Sequence, residues 1–483
     1  MKLISNRWFL LGIGGLFVCF TGMKWNVPIF SWFLFIPFFR YLRLGYSIPI
    51  LLFSFIGFQI LSTMRIVSEP FHIWIAILSG IQAGFVFTLL LWLWNTIRIR
   101  FTNLVSPILF FAFFCIILEW IGGYNSDLGV WGMIANSQIG NLILLQSASL
   151  YGALGISFVI YLINVSLEQC ISELIDTNRI QKDSALYLLT SFVLLVLLYF
   201  YGTIRLHLPI TGEQIKIATI TTKYDVTSMF HHPEINAENT KLTFEKTILA
   251  AKEGAKVVVW NEGAVLVTKE KESELLRLVS VVAKENKIEV IAALIVQLKD
   301  QEFFFDNQLV WFASDGTIRQ TYYKQFLVPG EPVSKHHSDI KAFQVLEGKM
   351  SVAICYDFDS LRVTEHHAKE GSGLVLIPAS DWKGITPFHT EMAVLRGIEN
   401  GSSIVRSVRD GLSGIYDAYG RARGTLDSFE NNDGVLVSSV PMIKLDTIYS
   451  RYGNWLVGIG FLYLGIASIR ILFFVIKNRI KAK

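Results

Sequence analysis

The stretch KMSVAICYDFDS, residues 349–360, passes from an apolar run into a cysteine that is followed at once by polar and acidic residues. The apolar part predicts a strand that ends at Cys355, and Tyr356 and Asp357 then begin a polar turn. A lone free cysteine is most often a small buried packing residue, so a structural role is the simplest interpretation of this thiol by itself. Its meaning depends on what the other strand ends place beside it.

The charge and hydrophobicity of the chain divide it into three parts. Of its 483 residues, 52% are hydrophobic and 17% are charged, whereas about a quarter of an ordinary soluble domain is charged. Residues 206–454 carry 27 Lys and Arg against 32 Asp and Glu, and the remainder carries 16 against 7. We predict a membrane domain of about seven helices over 1–205, a soluble domain over 206–454, and a C-terminal transmembrane helix with a basic tail over 455–483. The net charge of +4 then reflects membrane topology and does not indicate nucleic-acid binding.

Eight apolar runs approach the ~20 residues that a helix needs to cross the hydrocarbon core of a bilayer. They lie at 8–23, 25–39, 46–63, 73–94, 104–122, 148–167, 185–204 and 455–476. The second run is short and contains Pro28 and Pro37, so it is either a span or a re-entrant segment. Glu119 lies near the end of the fifth run, and both a functional and an interfacial structural role are open for it.

Basic residues are concentrated in alternate loops between these runs. With a cytoplasmic N-terminus, the loops outside the cytoplasm contain Lys24 and Arg65. The cytoplasmic loops and tail contain more, among them Arg40, Arg43, Arg98, Arg100, Arg179, Lys182, Lys477, Arg479 and Lys481. This asymmetry predicts that the seven preceding runs place the soluble domain outside the cytoplasm and that the eighth returns the C-terminus to it.

Within the soluble domain, short β-rich runs alternate with helical stretches. IKIATITT (215–222), VVVW (257–260), VIAALIV (290–296), KMSVAIC (349–355) and GLVLIPAS (373–380) read as strands, with helices over 236–255, 272–286 and 389–401. A hairpin is predicted from QLVWFA through Asp315–Gly316 to TIRQTYYK. This alternation predicts a layered α/β domain with central sheets.

Three strand ends present groups that can act together in catalysis. Glu262 follows VVVW, Lys324 closes the hairpin strand, and Cys355 closes KMSVAIC. A thiol attacks carbonyl groups as a thiolate, so it needs a base, and a carboxylate can take its proton and pass it to the leaving group. A lysine ammonium, with a backbone N–H after the cysteine, can stabilise the oxyanion of a tetrahedral intermediate. We therefore predict Glu262, Lys324 and Cys355 as catalytic residues. Glu331 is predicted to hold the lysine in place.

Other residues give no indication of a metal or a disulfide. The histidine pairs at 231–232, 336–337 and 366–367 lack ligand spacing, so we predict no metal and no cofactor. The four cysteines, at 19, 115, 170 and 355, form no pairing pattern, and one of them lies in the soluble domain.

The order of the strand-end motifs resembles that of the nitrilase, or carbon–nitrogen hydrolase, superfamily with its Glu-Lys-Cys triad. The motifs are WNEGA (260–264), KQFLVPGE (324–331) and ICYD (354–357). With apolar runs on both sides, the chain resembles the membrane branch of the superfamily, the apolipoprotein N-acyltransferases. Three further stretches are similar to that branch, at 118–123 (LEWIGG), 144–164 and 389–420. With them the similarity covers nearly the whole chain.

The chain departs from the usual motifs of this branch at four places. Asn261 stands where the family usually has Pro, and VPGE is one residue shorter than the usual V-P-F-G-E. Asp357 replaces Glu, and Ala379–Ser380 replace Asn-Asp before a Trp.

The resemblance implies a nitrilase-like α-β-β-α sandwich inserted before a final transmembrane helix. It also implies that Cys355 takes an acyl chain from a membrane phospholipid and passes it to the amine of a diacylated apolipoprotein. The enzyme would be a monomer in the bacterial cytoplasmic membrane, with its catalytic domain on the periplasmic side. Tyr356 and Asp357 would support the site. Phe326, Trp382 and Phe388 are candidates to line the acyl path, and core packing is an equal alternative for each of them.

Two alternatives differ from this interpretation. The same triad would serve a membrane-tethered amidase that uses water as the acceptor. A catalytically inactive scaffold or transporter is disfavoured because all three triad residues are present and because the apolar runs contain few charges.

Overall fold

The computed structural model describes residues 5–68, 71–125, 128–298 and 302–481. The chain forms two units. The first consists of Met1–Gly122, Trp131–Arg205 and Tyr452–Lys483, and the second of Gly123–Val130 and Leu206–Arg451.

The first unit is helical. Its helices, numbered along the whole chain, are α1 (Arg7–Cys19), α2 (Ile36–Arg43), α3 (Ile48–Met64), α4 (Ile73–Arg100), α5 (Pro107–Asn125), α6 (Leu142–Leu145), α7 (Ala148–Thr177), α8 (Lys182–His207) and, at the C-terminus, α15 (Trp455–Lys481). Among the described residues, five helices are long and apolar enough to cross a membrane, namely α4, α5, α7, α8 and α15. Helices α1 and α3 are also apolar but have 13 and 17 residues.

The second predicted span, 25–39, is not one helix. A 3-10 helix occupies Pro28–Trp32, and α2 begins only at Ile36. Pro28 and Pro37 each lie in the first turn of a helical segment, where the missing N–H of proline needs no intrahelical partner. The two prolines therefore begin two short segments. Of the two alternatives that the sequence leaves open, a single span and a re-entrant segment, the structure excludes one continuous helix over 25–39.

Charged contacts bring one set of loops together at the end of α2. Arg40 and Asp176 form an ion pair of 2.8 Å, and Arg43 Nε donates to Glu168 Oε1 at 2.8 Å. The guanidinium groups of Arg43 and Arg98 each lie 5.6 Å from the ring centroid of Trp94. The basic residues predicted to be cytoplasmic in the first two inside loops therefore share one end of the unit with the last turns of α7.

The other set of loops meets at the opposite end of α3. Arg65 Nη1 donates to the carbonyl of Lys24 at 2.7 Å, and Asn26 Nδ2 donates to the carbonyl of Ser137 at 2.7 Å. Because α3 runs from the first group of loops to the second, the alternation predicted from the basic residues matches the way these loops are grouped.

The second unit contains two mixed sheets. Its strands are β1 (Gln214–Ile220), β2 (Val257–Trp260), β3 (Val265–Thr268), β4 (Glu289–Gln297), β5 (Phe305–Phe312), β6 (Ile318–Tyr323), β7 (Phe343–Val345), β8 (Gly348–Val352), β9 (Leu374–Ser380), β10 (Ser403–Arg409), β11 (Leu412–Tyr416), β12 (Ala422–Asp427) and β13 (Val435–Pro441). One sheet has the order β13-β1-β2-β4-β5-β6, with β3 paired to β4, and the other has the order β12-β11-β10-β9-β8-β7. The parallel pairs lie at the centre of each sheet, as β1–β2–β4 and β8–β9–β10.

Helices cover both outer faces of the paired sheets. They are α9 (Val226–His231), α10 (Pro233–Lys252), α11 (Glu272–Asn286), α12 (Leu361–Lys369), α13 (Phe388–Asn400) and α14 (Ile448–Tyr452). Successive residues of a strand point to opposite faces, so Ile215 and Ile217 of β1 join the core between the sheets. Ala218 and Ile220 join the core beneath α10 and α11. The predicted α-β-β-α sandwich, followed by a final apolar helix, is confirmed.

Candidate active site

Cys355 lies just beyond β8 and begins a 3-10 turn over Cys355–Asp359. Its φ is +44°, a conformation that costs a non-glycine residue free energy and that is found mainly where the surroundings impose it at functional sites. Within the turn, the N–H of Asp357 donates to the carbonyl of Ile354 at 2.9 Å. The cysteine side chain is 4% exposed. The strand thus delivers the thiol on a constrained, buried turn.

Glu262 and Lys324 form a buried ion pair. The Lys324 Nζ donates to Glu262 Oε1 at 2.9 Å, and Asn307 Nδ2 donates to the same oxygen at 2.7 Å. The second carboxylate oxygen, Oε2, accepts from the N–H of Ser380 at 2.9 Å. The carboxylate of Glu262 is therefore fixed by donors from β5, the end of β6 and the end of β9.

Glu331 holds Lys324 from its other side. Its two carboxylate oxygens accept from Lys324 Nζ at 2.8 and 2.9 Å, and Oε2 also accepts from the N–H of Val328 at 3.0 Å. The shortened VPGE segment is thus long enough to bring the carboxylate to the lysine.

The charges of the site set the resting protonation states. Burial lowers the pKa of Lys324, but the carboxylates of Glu262 and Glu331 outweigh it and raise that pKa well above its ordinary value. Burial raises the pKa of Glu262, but the ammonium of Lys324, with hydrogen bonds from Lys324, Asn307 and the Cys355 thiol, leaves it below its ordinary value. Burial and the charge of Glu262 raise the pKa of Cys355 well above its usual range, although the positive charges of Lys324 and Arg406 lower it. At rest the site holds a carboxylate, an ammonium and a neutral thiol.

Asp357 connects the Cys355–Asp359 turn, here called the nucleophile turn, to the loop after Lys324 through hydrogen bonds. Its Oδ1 accepts from the backbone N–H groups of Gln325 at 2.9 Å and Phe326 at 2.7 Å, and Oδ2 accepts from the Tyr322 hydroxyl at 2.8 Å. Burial raises the pKa of Asp357 to about 7, against these hydrogen bonds and the charge of Lys324. Asp357 therefore fixes the position of the loop that carries the lysine.

Two family models match the chain. Residues 214–442 match the carbon-nitrogen hydrolase family, and residues 14–166 match the apolipoprotein N-acyltransferase N-terminal domain. The apolipoprotein N-acyltransferase of Geobacter metallireducens is 26% identical over 67% of this chain and 66% of its own length. Those of Rickettsia bellii and Haemophilus ducreyi are 25% and 23% identical, over 71% and 74% of this chain and 72% and 74% of theirs.

The chain belongs to the apolipoprotein N-acyltransferase family. It is an enzyme of the carbon–nitrogen hydrolase superfamily. Among solved structures, an amidase from Nesterenkonia sp. is 17% identical, with a TM-score of 0.42 over 52% of this chain and 97% of the amidase.

The remaining predicted residues of this family member occupy buried or half-buried positions. Tyr356 follows the nucleophile in the turn and is 7% exposed. Phe326 is partly buried against the core between the sheets, and Trp382 and Phe388 are buried. A role in lining an acyl path stays a prediction for these three aromatic residues.

A second group of charged residues lies beside the thiol, and the sequence analysis missed it. We call Arg406, Asp381, His389 and Asp359 the arginine cluster. Arg406 Nη2 donates to Asp381 Oδ1 at 3.1 Å and lies 3.9 Å from Cys355 Sγ. His389 Nδ1 lies 2.7 Å from Asp381 Oδ1, and its Nε2 lies 3.0 Å from Asp359 Oδ2. Arg406 lies within the strand SIVRSVR. Because a charged residue is rarely buried without a partner, its position in this strand is the sequence feature that could have indicated a buried ion pair.

Three of these groups have metal-ligand chemistry. One ligand atom each of Cys355, Asp381 and His389 lies within 4.8 Å of the others. The guanidinium of Arg406 lies among the same atoms, 3.1 Å from both Asp381 Oδ1 and His389 Nδ1. The arrangement as it stands is a buried ion-pair network with its own cation, and a metal would have to displace that cation.

A short segment from outside the matched hydrolase region also reaches the nucleophile turn within the second unit. Gly129 has a φ of +52°, and a Cβ added to it would lie 2.4 Å from the carbonyl oxygen of Asp359. Nearby, Arg362 Nη2 donates to Asn125 Oδ1 at 2.8 Å. Asn125 and Gly129 thus lie against the turn that begins with Cys355 and the helix that follows it.

Proposed function

We propose that the protein transfers a fatty acyl chain from a membrane phospholipid, through a thioester on Cys355, to the N-terminal amine of a diacylglyceryl-cysteine lipoprotein. The observation that carries the proposal is the Glu262–Lys324 ion pair beside a neutral, hydrogen-bonded thiol. The described part of the chain also has five helices that are long and apolar enough to cross a membrane. Family membership supports the same substrates.

In the first half-reaction Glu262 acts as the base. It takes the proton of the Cys355 thiol, and the sulfur attacks the ester carbonyl carbon of the lipid. Lys324 stabilises the oxyanion of the tetrahedral intermediate. When the carbon–oxygen bond breaks, the proton on Glu262 passes to the oxygen of the departing lysophospholipid, which leaves the thioester on the enzyme.

In the second half-reaction the free amine of the lipoprotein attacks the thioester carbon. Glu262 accepts a proton from the amine, and the carbon–sulfur bond breaks with its electron pair on the sulfur of Cys355. The proton on Glu262 then passes to that sulfur, which restores the carboxylate and the neutral thiol. The acyl chain is then held in an amide bond. Both proposed substrates are held in a bilayer by their lipid chains, which gives the membrane unit a role in the reaction.

We further propose that a monomer acts in the bacterial cytoplasmic membrane with its catalytic unit on the periplasmic side. The asymmetry of basic residues supports this topology, and so does the grouping of the loops in the first unit. A membrane-impermeant maleimide should label a Lys341→Cys variant in intact spheroplasts and should not label Arg100→Cys, since both positions are exposed. Labelling of Arg100→Cys alone would place the catalytic unit in the cytoplasm.

The function is tested with purified protein in vesicles of a phospholipid with a labelled acyl chain. A diacylglyceryl-cysteine peptide with a free amine should receive the label, and the same peptide with an acetylated amine should not. Release of labelled fatty acid at the same rate with either peptide would favour the amidase-like alternative, with water as the acceptor. An unlabelled peptide and an unlabelled fatty acid fraction would contradict both functions.

A further inference from the structure

The sulfur of Cys355 has a second cation beside it that the triad does not include. We propose that Arg406 is a catalytic residue, whose guanidinium stabilises the thiolate of Cys355 as nucleophile in the first half-reaction and as leaving group in the second. The inference depends on the proposed thiol chemistry of Cys355, but it does not depend on the identity of the substrates.

The first observation is the position of the guanidinium. Its Nη2 lies 3.9 Å from Cys355 Sγ, on a side chain that is 1% exposed. At this distance an opposite charge in a buried site favours the ionised form of a thiol. Water cannot screen the pair effectively, because both side chains are buried.

The second observation is that the guanidinium is held in place. Nη2 donates to Asp381 Oδ1 at 3.1 Å and lies 3.1 Å from His389 Nδ1, and Nη1 donates to Thr390 Oγ1 at 3.3 Å. His389 is itself fixed between Asp381 and Asp359. The arginine cluster therefore fixes a cation before the reaction begins, which is how electrostatic catalysis avoids a cost of reorganisation.

The third observation is the division of labour between the two cations. Lys324 is engaged by the carboxylates of Glu262 and Glu331, at 2.8 to 2.9 Å, and its ammonium is assigned to the oxyanion. The charged and titratable groups that act on the thiol are Glu262 and Asp381, which raise its pKa, and Lys324 and Arg406, which lower it; His389 lies beside them. Lys324 and Arg406 both favour negative charge on the sulfur, and of the two Arg406 is the cation that is not assigned to the oxyanion.

In the second half-reaction the positive charge of Arg406 stabilises the departing thiolate. When the amine has attacked, the carbon–sulfur bond breaks and both electrons go to Sγ, so a thiolate forms in a buried site. The proton that the amine loses goes to Glu262. Arg406 faces the sulfur at the moment when it becomes negative, and no external reactant is needed for the balance.

The test is the rate at which iodoacetamide alkylates Cys355 as a function of pH, in the full-length protein and without any lipid substrate. Peptide mass spectrometry reports Cys355 separately from the other three cysteines. Arg406→Met should raise the apparent pKa of the alkylation profile by about 1 to 3 units, the range for loss of a nearby opposite charge. Arg406→Lys should give a smaller shift in the same direction, because a lysine keeps the charge on a shorter side chain.

Arg396→Met is the matched control. Arg396 is also 1% exposed and pairs with a carboxylate, Glu399, at 3.0 Å, so its loss removes an equally buried charge away from the sulfur. Its variant should keep the wild-type alkylation profile, even if it is less stable.

An unchanged profile in Arg406→Met overturns the inference. If that variant does not fold because Asp381 is left unpaired, Arg406→Gln replaces it, since the amide keeps a donor for Asp381 but has no charge, and an unchanged profile in Arg406→Gln overturns the inference. This result can be distinguished from a failure of the proposed function. If the protein does not transfer acyl chains but Arg406→Met still shifts the alkylation profile, the inference about Arg406 stands and the proposed function does not.

Discussion

Two groups of charged residues lie close to the Cys355 thiol, and they differ in the charges that they contribute. The triad side, with Glu262, Lys324 and Glu331, has a base and an oxyanion donor within 2.9 Å of one another. The arginine cluster has a guanidinium 3.9 Å from the sulfur, anchored by carboxylates and a histidine. In the proposed mechanism the triad moves the proton and stabilises the oxyanion, whereas the arginine cluster stabilises charge on the sulfur.

The largest expected effect comes from removing the sulfur that lies close to both groups. Cys355→Ala should abolish acyl transfer, and Cys355→Ser should be nearly as damaging because an alkoxide is much harder to generate than a thiolate. The measurement is the rate at which each variant transfers the labelled acyl chain to a free-amine acceptor peptide. Cys115→Ala is the control, since it removes another buried cysteine outside the site, and it should keep activity.

The next effect separates the members of the triad side. Lys324→Met keeps length but loses the oxyanion donor, which should slow acylation by about 100- to 1,000-fold. Glu262→Gln should reduce thioester formation at least as much, because the amide cannot accept the thiol proton. Both rates are measured on folded variants in lipid. Acylation by Glu262→Gln at the wild-type rate would mean that another group is the base.

The arginine side can be disturbed without changing any charge. Gly129→Ala places a methyl group against the carbonyl of Asp359, 2.4 Å away in the present geometry, so the nucleophile turn must shift. A misplacement of about 1 Å near the reacting atoms can cost roughly 100-fold, and we expect acylation to fall by up to that amount. Gly132→Ala is the matched control, because its Cβ would meet nothing within 4 Å. Equal activity of the two variants would mean that the close approach of Gly129 to Asp359 does not position the turn.

Glu331 should have a smaller effect than either triad partner. It contacts Lys324 and the N–H of Val328, so Glu331→Gln should loosen the lysine and leave the base intact. We expect an acylation rate between those of the wild type and Lys324→Met. A loss greater than that of Lys324→Met would give Glu331 a direct part in proton transfer.

The smallest effect is on stability. Because burial raises the pKa of Asp357 to about 7, its contribution to stability is complete below the unfolded value of about 3.9 and is lost as the pH rises through about 7. Asp357→Asn removes this titration. In thermal melts of detergent-solubilised protein, the wild type should therefore lose stability relative to Asp357→Asn between pH 5 and pH 8. A constant difference in Tm would contradict the shifted pKa.

The two clusters also differ in how far the sequence predicts them. Glu262, Lys324 and Cys355 each stand at or just beyond the end of an apolar run, so their convergence follows from the alternation of the chain. The arginine cluster draws its members from inside β10, the first turn of α13, the loop after β9 and the end of the nucleophile turn. No period or spacing joins these positions before the chain is folded.

The same reasoning explains the errors in the fold. Long buried strands such as β4 and β9 were predicted, whereas β3, β7 and β12 were missed. These have three to six residues, and β12 is largely exposed, so neither apolar alternation nor length marks them. The prolines of 25–39 were interpreted as interruptions of one span, although each begins a helical segment of its own.

Mass spectrometry of the acylated protein shows whether Cys355 carries the acyl chain. The protein is incubated with a phospholipid of one defined acyl chain, without an acceptor, and then digested. We expect one acyl adduct, on the peptide that contains Cys355. The adduct should be absent from the Glu262→Gln variant, and it should disappear from the wild type when a free-amine acceptor is added. Transfer that proceeds with no adduct on Cys355, or with the adduct on another residue, would contradict the proposed role of Cys355.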